Sequence, residues 1–231
     1  MRRAGTTAAL ILGILSFLML AGCSGGAGAS PLYAQVGTAL RSATAAKKAA
    51  REPRAQVTRA RLDTLTDPFL EVTVERRDVV AYLFSSSVRR DGSPGEIQQW
   101  RSDDAATITM RNGMLIATRG LGGDIMSSTV PVAEGVTGPA SGGEKIHDIR
   151  TGDLAIVHLV LACDLTDLGP ETIVIVERAH ATRHLSERCI AEGGGTVEND
   201  YWVDSRAGIV WQSRQWAGPH IGYLRFRRLT E

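Results

Sequence analysis

The side chains of this 231-residue chain most able to do chemistry are five histidines and three cysteines. His180 and His184 stand four apart, a spacing that on a helix can present two imidazoles to one metal ion. They lie, however, in ETIVIVERAHATRHL (171–185), which reads as a strand and its exit. On a strand they share a face about 13 Å apart, too far to bind one ion directly, so no metal is expected. His158 sits among apolar neighbours and reads as a core or edge residue. No GxSxG elbow frames a serine, so no local signal supports a hydrolase triad. GLGGD (120–124) resembles part of a phosphate-cradling loop but lacks the Lys-Ser/Thr pair and a following helix, and reads as a tight turn. A glycosidase needs two carboxylates roughly 5–10 Å apart. Asp124, Glu198, Asp200 and Asp204 are acidic candidates that the sequence does not bring together. The expectation is a chain without catalytic residues.

The cysteines divide into one and two. Arg2 and Arg3, the apolar run Ala8–Leu20 and the tetrad Leu20-Ala21-Gly22-Cys23 follow one another as the n-region, h-region and lipobox of a bacterial lipoprotein signal do. The competing reading is an ordinary cleavage site with a chance cysteine. On the first reading residues 1–22 are removed and Cys23 carries acyl chains, each buried methylene contributing roughly 0.8 kcal/mol to anchoring. Ser24 follows, not Asp, which resembles a lipoprotein sent to the outer membrane. A chain tethered there, facing the periplasm, folds in an oxidising space, so Cys163 and Cys189 are expected to form a disulfide. Loop entropy assigns such a bridge roughly 3–4 kcal/mol. Two free thiols are the alternative, and no CxxC spacing suggests redox or zinc chemistry.

One further segment invites a binding function. WQSRQW (211–216) sets two tryptophans, two glutamines and an arginine within six positions. On a strand Trp211, Ser213 and Gln215 share one face, and Gln212, Arg214 and Trp216 the other. The rings therefore cannot form one flat platform without a bulge, and the plainer reading puts one in the core and one on the outer or edge face. The sharper reading has Gln212, Arg214 and Trp216, with Tyr201 or Trp202 across a hairpin, offering hydrogen bonds and a ring to a saccharide or a partner protein.

The elements that must position these residues are mostly strands. SGGAGASP and its cysteine (23–31) read as a flexible tether. Residues 32–50 carry a Leu32, Val36, Leu40 stripe and are expected to form a helix, which Pro53 ends. RAQVTRARLDTLTDP is a second short helix or an irregular link. From residue 69 the period becomes two: FLEVTVE, DVVAYLFSSSVRR, EIQQWRS, and ATITMR and MLIATR about an Asn112-Gly113 turn. Residues 133–143 read as a loop. DLAIVHLVLACDL and ETIVIVERAHATRHL are the most apolar strands, with a turn expected at Leu168-Gly169-Pro170. TVENDYWVD and GIVWQSRQWAG form a hairpin across Ser205–Ala207, and IGYLRFRRL closes the chain. About ten strands with short connections predict a mainly β, antiparallel curved sheet, barrel-like or sandwich. With no linker inside it, 32–231 is one domain. After loss of residues 1–22, 24 basic residues face 25 acidic ones, without the basic stripe that nucleic-acid binding needs.

The lipobox with Cys23, the hairpin RNGMLIATRGLGGDIM (111–126) and the ending NDYWVDSRAGIVWQSRQWAGPHIGYLRFRRL (199–229) together resemble the YjbF/GfcB lipoproteins, the group 4 capsule polysaccharide lipoproteins. The resemblance implies an outer-membrane lipoprotein that takes part in secretion or assembly of capsule or exopolysaccharide. It also implies two partners, a periplasmic protein and an outer-membrane β-barrel protein. It brings no catalytic residue and no cofactor beyond the covalent lipid. The expected role is docking on those partners; the alternative is a carbohydrate-binding module using Trp202, Gln212, Arg214 and Trp216.

Overall fold

In FLEVTV the apolar residues Leu70, Val72 and Val74 are buried and those between them are only half-buried, as period-two alternation demands of a strand with one face on a core. The structure is a computed structural model and describes residues 57–231. The expected signal segment (1–22), the expected tether with Cys23 and the helix expected over 32–50 lie outside the described residues. The described chain begins with one helical turn, α1 (Arg59–Leu62), whose N-cap Thr58 accepts a hydrogen bond from the Arg61 amide. Twelve strands follow: β1 (Phe69–Val74), β2 (Val79–Arg89), β3 (Ile97–Arg101), β4 (Thr107–Arg111), β5 (Met114–Arg119), β6 (Ile125–Thr129), β7 (Gly143–Arg150), β8 (Ile156–Ile175), β9 (Arg178–Ala191), β10 (Thr196–Asp204), β11 (Ile209–Trp216) and β12 (Tyr223–Arg228). They make one sheet in the order β5-β4-β3-β2-β1-β12-β11-β10-β9-β8-β7-β6. Every pairing in it is antiparallel.

This is a nearly closed, barrel-like sheet, so the sandwich alternative falls: there is one sheet, not two. Closure comes from β1 pairing with β12, Leu70 opposite Arg228 and Val74 opposite Leu224. The two remaining edges, β5 and β6, meet at a seam sewn by side chains. Thr118 Oγ1 accepts from the Ile125 amide at 3.1 Å and donates to Asp124 at 2.8 Å. The Arg119 guanidinium donates to the carbonyls of Ile125 and Met126 at 2.9 and 3.1 Å. These bonds occupy backbone groups that an open edge would leave exposed to another chain.

Three differences from the sequence expectation have local causes. The count rises from about ten because β6 is short and polar, and β7 turns Lys145 and His147 inward, which masks its alternation. No turn forms at Leu168-Gly169-Pro170: β8 runs through it, and the chain reverses instead at Val176 and Glu177, both at positive φ. Pro170 cannot donate to a ladder, and the register slips between Asp167 and Gly169, so the sheet absorbs the glycine and proline as a bulge. The Asn112-Gly113 turn is as expected, with φ of 52° and 81°.

Each end is partly covered. At one, Arg59 of α1 donates to the carbonyls of Ile175, Val176 and Leu229 at 2.8–3.1 Å, clasping the β8–β9 tip to the C-terminal segment. Leu62 packs there with Ile173, Ile175 and Trp211. At the other end the 3₁₀ turn Glu75–Arg77 holds two loops: Arg76 donates to the Pro219 carbonyl and Arg77 to that of Leu121.

Candidate functional site

Burial along β11 alternates strictly, with Trp211, Ser213 and Gln215 inward and Gln212, Arg214 and Trp216 on the other face. Trp202 stands directly opposite Gln212 and Asp200 opposite Arg214, so the expected binding residues do share one side of a hairpin. Their side chains are already engaged. Arg214 grips both oxygens of Glu75 at 2.9–3.1 Å and lies 3.5 Å over the Tyr223 ring. Arg225 joins the same carboxylate at 3.0 Å. Burial raises the Glu75 pKa, but the two guanidinium groups outweigh it and hold the carboxyl below its ordinary value. Trp202 stacks on His184 at 4.4 Å. Trp216 lies half-buried against the core, four residues beyond Gln212, about 13 Å along the strand.

The histidines are dispersed. His180 packs on Trp211 at 3.8 Å, while His184 stacks on Trp202 and bonds Asp200 and Glu171 at 3.0 and 3.1 Å. The pair thus serves two different rings and no common ion. His158 is an exposed partner of Asp148, at 2.9 Å, not a core residue. The acidic candidates are likewise separated in role: Asp124 closes the seam, Asp200 holds His184, and Asp204 accepts two amides of its own turn. In GLGGD the amides of Gly120 and Leu121 donate to Asp124 at 3.1 Å, so the loop's own carboxylate sits where a phosphate would.

Cys163 and Cys189 face each other across β8 and β9 and are joined, with sulfurs 2.04 Å apart. Their inward face sets the parity of β9, and two residues away Glu187 is fully buried. It anchors a polar network that sequence reading missed. Lys145 Nζ sits 2.5 Å from Glu187 Oε2, which also accepts from Asn199 Nδ2 at 2.9 Å and from the Tyr201 hydroxyl at 3.2 Å. Glu187 Oε1 has no partner among the described residues. Burial pushes the Lys145 ammonium below its ordinary pKa against the pull of Glu187, and pushes the Tyr201 phenol well above its own. The one available signal was parity: Glu187 with Cys189, and Tyr201 with Val203, are polar groups at inward register.

Next to this network the barrel mouth opens between the 90–96, 133–137 and 205–208 loops as a polar cleft of about 710 Å³. Its inner wall (Glu96, Asn112, Thr137 and Gly208) is shared with a smaller cavity of about 100 Å³ inside the sheet. Trp100, Trp211, Phe226, Gln98, Ser213 and Arg228 line that cavity. Arg228 faces inward because it continues the buried Leu224 and Phe226 positions of β12. Its guanidinium lies 5.6 Å from the Trp100 ring, and its Nε donates to the Thr230 carbonyl. None of these residues except Trp211 and Ser213 stood out in the sequence, because one arginine among the three of YLRFRRLTE carries no local mark.

The two segments that carried the sequence resemblance meet in the fold. Gln215 Nε2 donates to the Gly113 carbonyl at 2.9 Å and its Oε1 accepts the Leu115 amide at 2.8 Å, across the interior. At Gly113 a β-carbon would fall 2.5 Å from Val210, and at Gly123 one would fall 2.6 Å from His220. Comparison with known proteins agrees. The family model described as group 4 capsule polysaccharide lipoprotein GfcB, YjbF, matches residues 37–229. The fold is similar to the crystal structure of the hypothetical lipoprotein YmcC from Escherichia coli K12. The TM-score is 0.65 at 20% identity, covering 76% of this chain and 90% of that one. No curated protein matches the chain. A family model spanning most of the sequence, with its two signature segments packed on each other, means that the chain belongs to the YjbF/GfcB family of group 4 capsule polysaccharide lipoproteins.

Proposed function

We propose that this chain is an outer-membrane lipoprotein, anchored by acyl chains on Cys23 and facing the periplasm. Its role is that of a non-enzymatic accessory in secretion or assembly of capsule or exopolysaccharide. It docks on envelope proteins, an outer-membrane β-barrel and a periplasmic partner. The observation that supports docking is an apolar patch on the outside of β7–β9. Ile146 stands opposite Val160, and Ala162 opposite Ile190, on the face away from the buried Leu161, Cys163 and Cys189. Ile190 is 52% exposed, and Ile146 and Val160 are half-buried. Neighbouring outward-facing aliphatic side chains on three strands mark an interaction surface better than singly scattered ones do. The dispersal of the histidines and carboxylates into separate local structures supports an accessory over a hydrolase.

A photo-crosslinking residue at position 190, in cells making the polymer, tests the reading. Adducts with an outer-membrane β-barrel or a periplasmic protein, absent when the crosslinker replaces Arg225, are expected. Ile190→Asp should lower both adduct yield and polymer export, and Cys23→Ala should abolish membrane fractionation and export. Full export by an unlipidated chain, or by Ile190→Asp, defeats the reading.

A further inference from the structure

The cavity at the barrel mouth has features that neither docking nor folding uses. Arg228 is an inward-facing cation on β12, and no ion pair holds it among the described residues; its named contacts are the Thr230 carbonyl and the Trp100 ring. An arginine stays charged in any protein environment; the carboxylates of Glu96 and Glu231 act on this charge through space, and neither is in ion-pair contact with it. The Nε1 atoms of both lining tryptophans, Trp100 and Trp211, are buried without an acceptor. Ser213 Oγ accepts from Gln215 at 2.9 Å, which leaves its own hydrogen to donate. Donors and a cation therefore dominate the inner wall. Glu96, the acidic residue at this wall, lines the outer cleft as well and lies 3.8 Å from Arg90. In the cleft Asp91 is taken by Arg111 at 2.6 Å, leaving Glu134 against Arg206 as the charged groups without ion pairs there.

Size separates the two spaces. At about 30 Å³ per water, the inner cavity of about 100 Å³ holds roughly three waters, the bulk of a carboxylate and not of a sugar ring. The cleft outside it, at about 710 Å³, is large enough for a ring and its neighbours, and is lined by Ser93, Asn112, Thr137, Ser205 and Arg206. Its hydroxyl, amide and guanidinium side chains offer hydrogen bonds to the hydroxyls of a sugar.

We propose that the inner cavity takes the carboxylate of an acidic saccharide unit against Arg228, with the sugar ring and its chain lying in the outer cleft. The choice of a saccharide rests on the capsule-polysaccharide reading above; the choice of an acidic one rests on Arg228 and the donor-rich wall.

The test uses the full chain purified in detergent, titrated calorimetrically and by tryptophan fluorescence. The probes are a tetrameric hexuronate, a neutral tetrameric hexose and sodium acetate. The hexuronate is expected to bind in the millimolar range or tighter, with the neutral tetramer and acetate each at least about tenfold weaker. Arg228→Gln should weaken hexuronate binding by about tenfold or more, and Arg228→Lys, which keeps the charge, by no more than about threefold. Should Arg228→Gln fail to fold, Arg206→Glu in the exposed cleft serves instead and should weaken hexuronate binding by about threefold.

No heat or fluorescence change with hexuronate at about 10 mM overturns the site. So does equal affinity for the neutral tetramer or acetate, or unchanged affinity in Arg228→Gln or, where that variant does not fold, in Arg206→Glu. None of these readouts involves a partner protein, so such a failure leaves the docking reading standing. Loss of crosslinks at position 190 in turn leaves the titrations unchanged.

Discussion

Replacing Lys145 by Met leaves Glu187 as a fully buried carboxylate with no countercharge. In the native fold Lys145 Nζ lies 2.5 Å from Glu187 Oε2. After the substitution that oxygen keeps the Asn199 and Tyr201 donors at 2.9 and 3.2 Å, while Oε1 has nothing. Removing one partner of a buried pair costs about 3–5 kcal/mol because the survivor pays its desolvation uncompensated. For a domain of this size that is a fall in Tm of roughly 6–20 °C. The double variant Lys145→Met/Glu187→Gln removes both charges and should recover most of the loss, to within about 1–2 kcal/mol of the parent. The sign with pH is also set. In Lys145→Met the lone carboxylate has a folded pKa raised above its unfolded value, so the folded state takes up the proton first. The variant therefore gains stability relative to the parent as pH falls from about 7 to about 5. Equilibrium urea unfolding of the full chain, followed by tryptophan fluorescence at both pH values, measures all three quantities. A single-variant cost under about 1 kcal/mol, or a double variant no better than the single, refutes the account of this pair as mutually dependent.

Other outcomes follow from the same interior. Cys163→Ala/Cys189→Ala closes no loop across a sequence separation of 26 and should lose about 3–4 kcal/mol in the same urea assay. His147 is buried on Ser128, and burial first, then Lys145, lowers its pKa from 6.5 to about 4. The unfolded chain binds this proton first, so the parent should lose about 3 kcal/mol more than His147→Gln as pH falls from about 6.5 to about 4, and no further below that. Arg119→Ala removes the guanidinium that spans the β5–β6 seam; hydrogen exchange of amides in β5 and β6 should accelerate about tenfold or more, and stability should fall by about 1–3 kcal/mol.

Period-two alternation in FLEVTV, TITMR, VENDYWVD and IVWQSRQW was readable by eye, and each is a strand with the face assignment that alternation predicts. Turn chemistry was equally legible at Asn112-Gly113, where positive φ selects the residues. Leu168-Gly169-Pro170 misled because the same residues that start a turn can be carried as a bulge when a long partner strand holds both sides. The disulfide followed from compartment and count, and the register of β8 on β9 then set the two cysteines opposite each other.

Alternation tells which face a side chain takes and not what it meets there. Arg214 looked like a free hydrogen-bonding group until Glu75, 139 residues away in sequence, was found in its grip. Lys145 and Glu187 carry no local mark, and only the curl of the barrel brings them together. Local sequence thus determined most of the strands, the hairpin turn at Asn112-Gly113, the inward and outward sets of those strands and the family. Closure of β1 on β12, the seam at Asp124, the buried charges and the Arg228 cavity were decided by tertiary structure alone. Each depends on contacts between distant segments, whose energies no local pattern encodes.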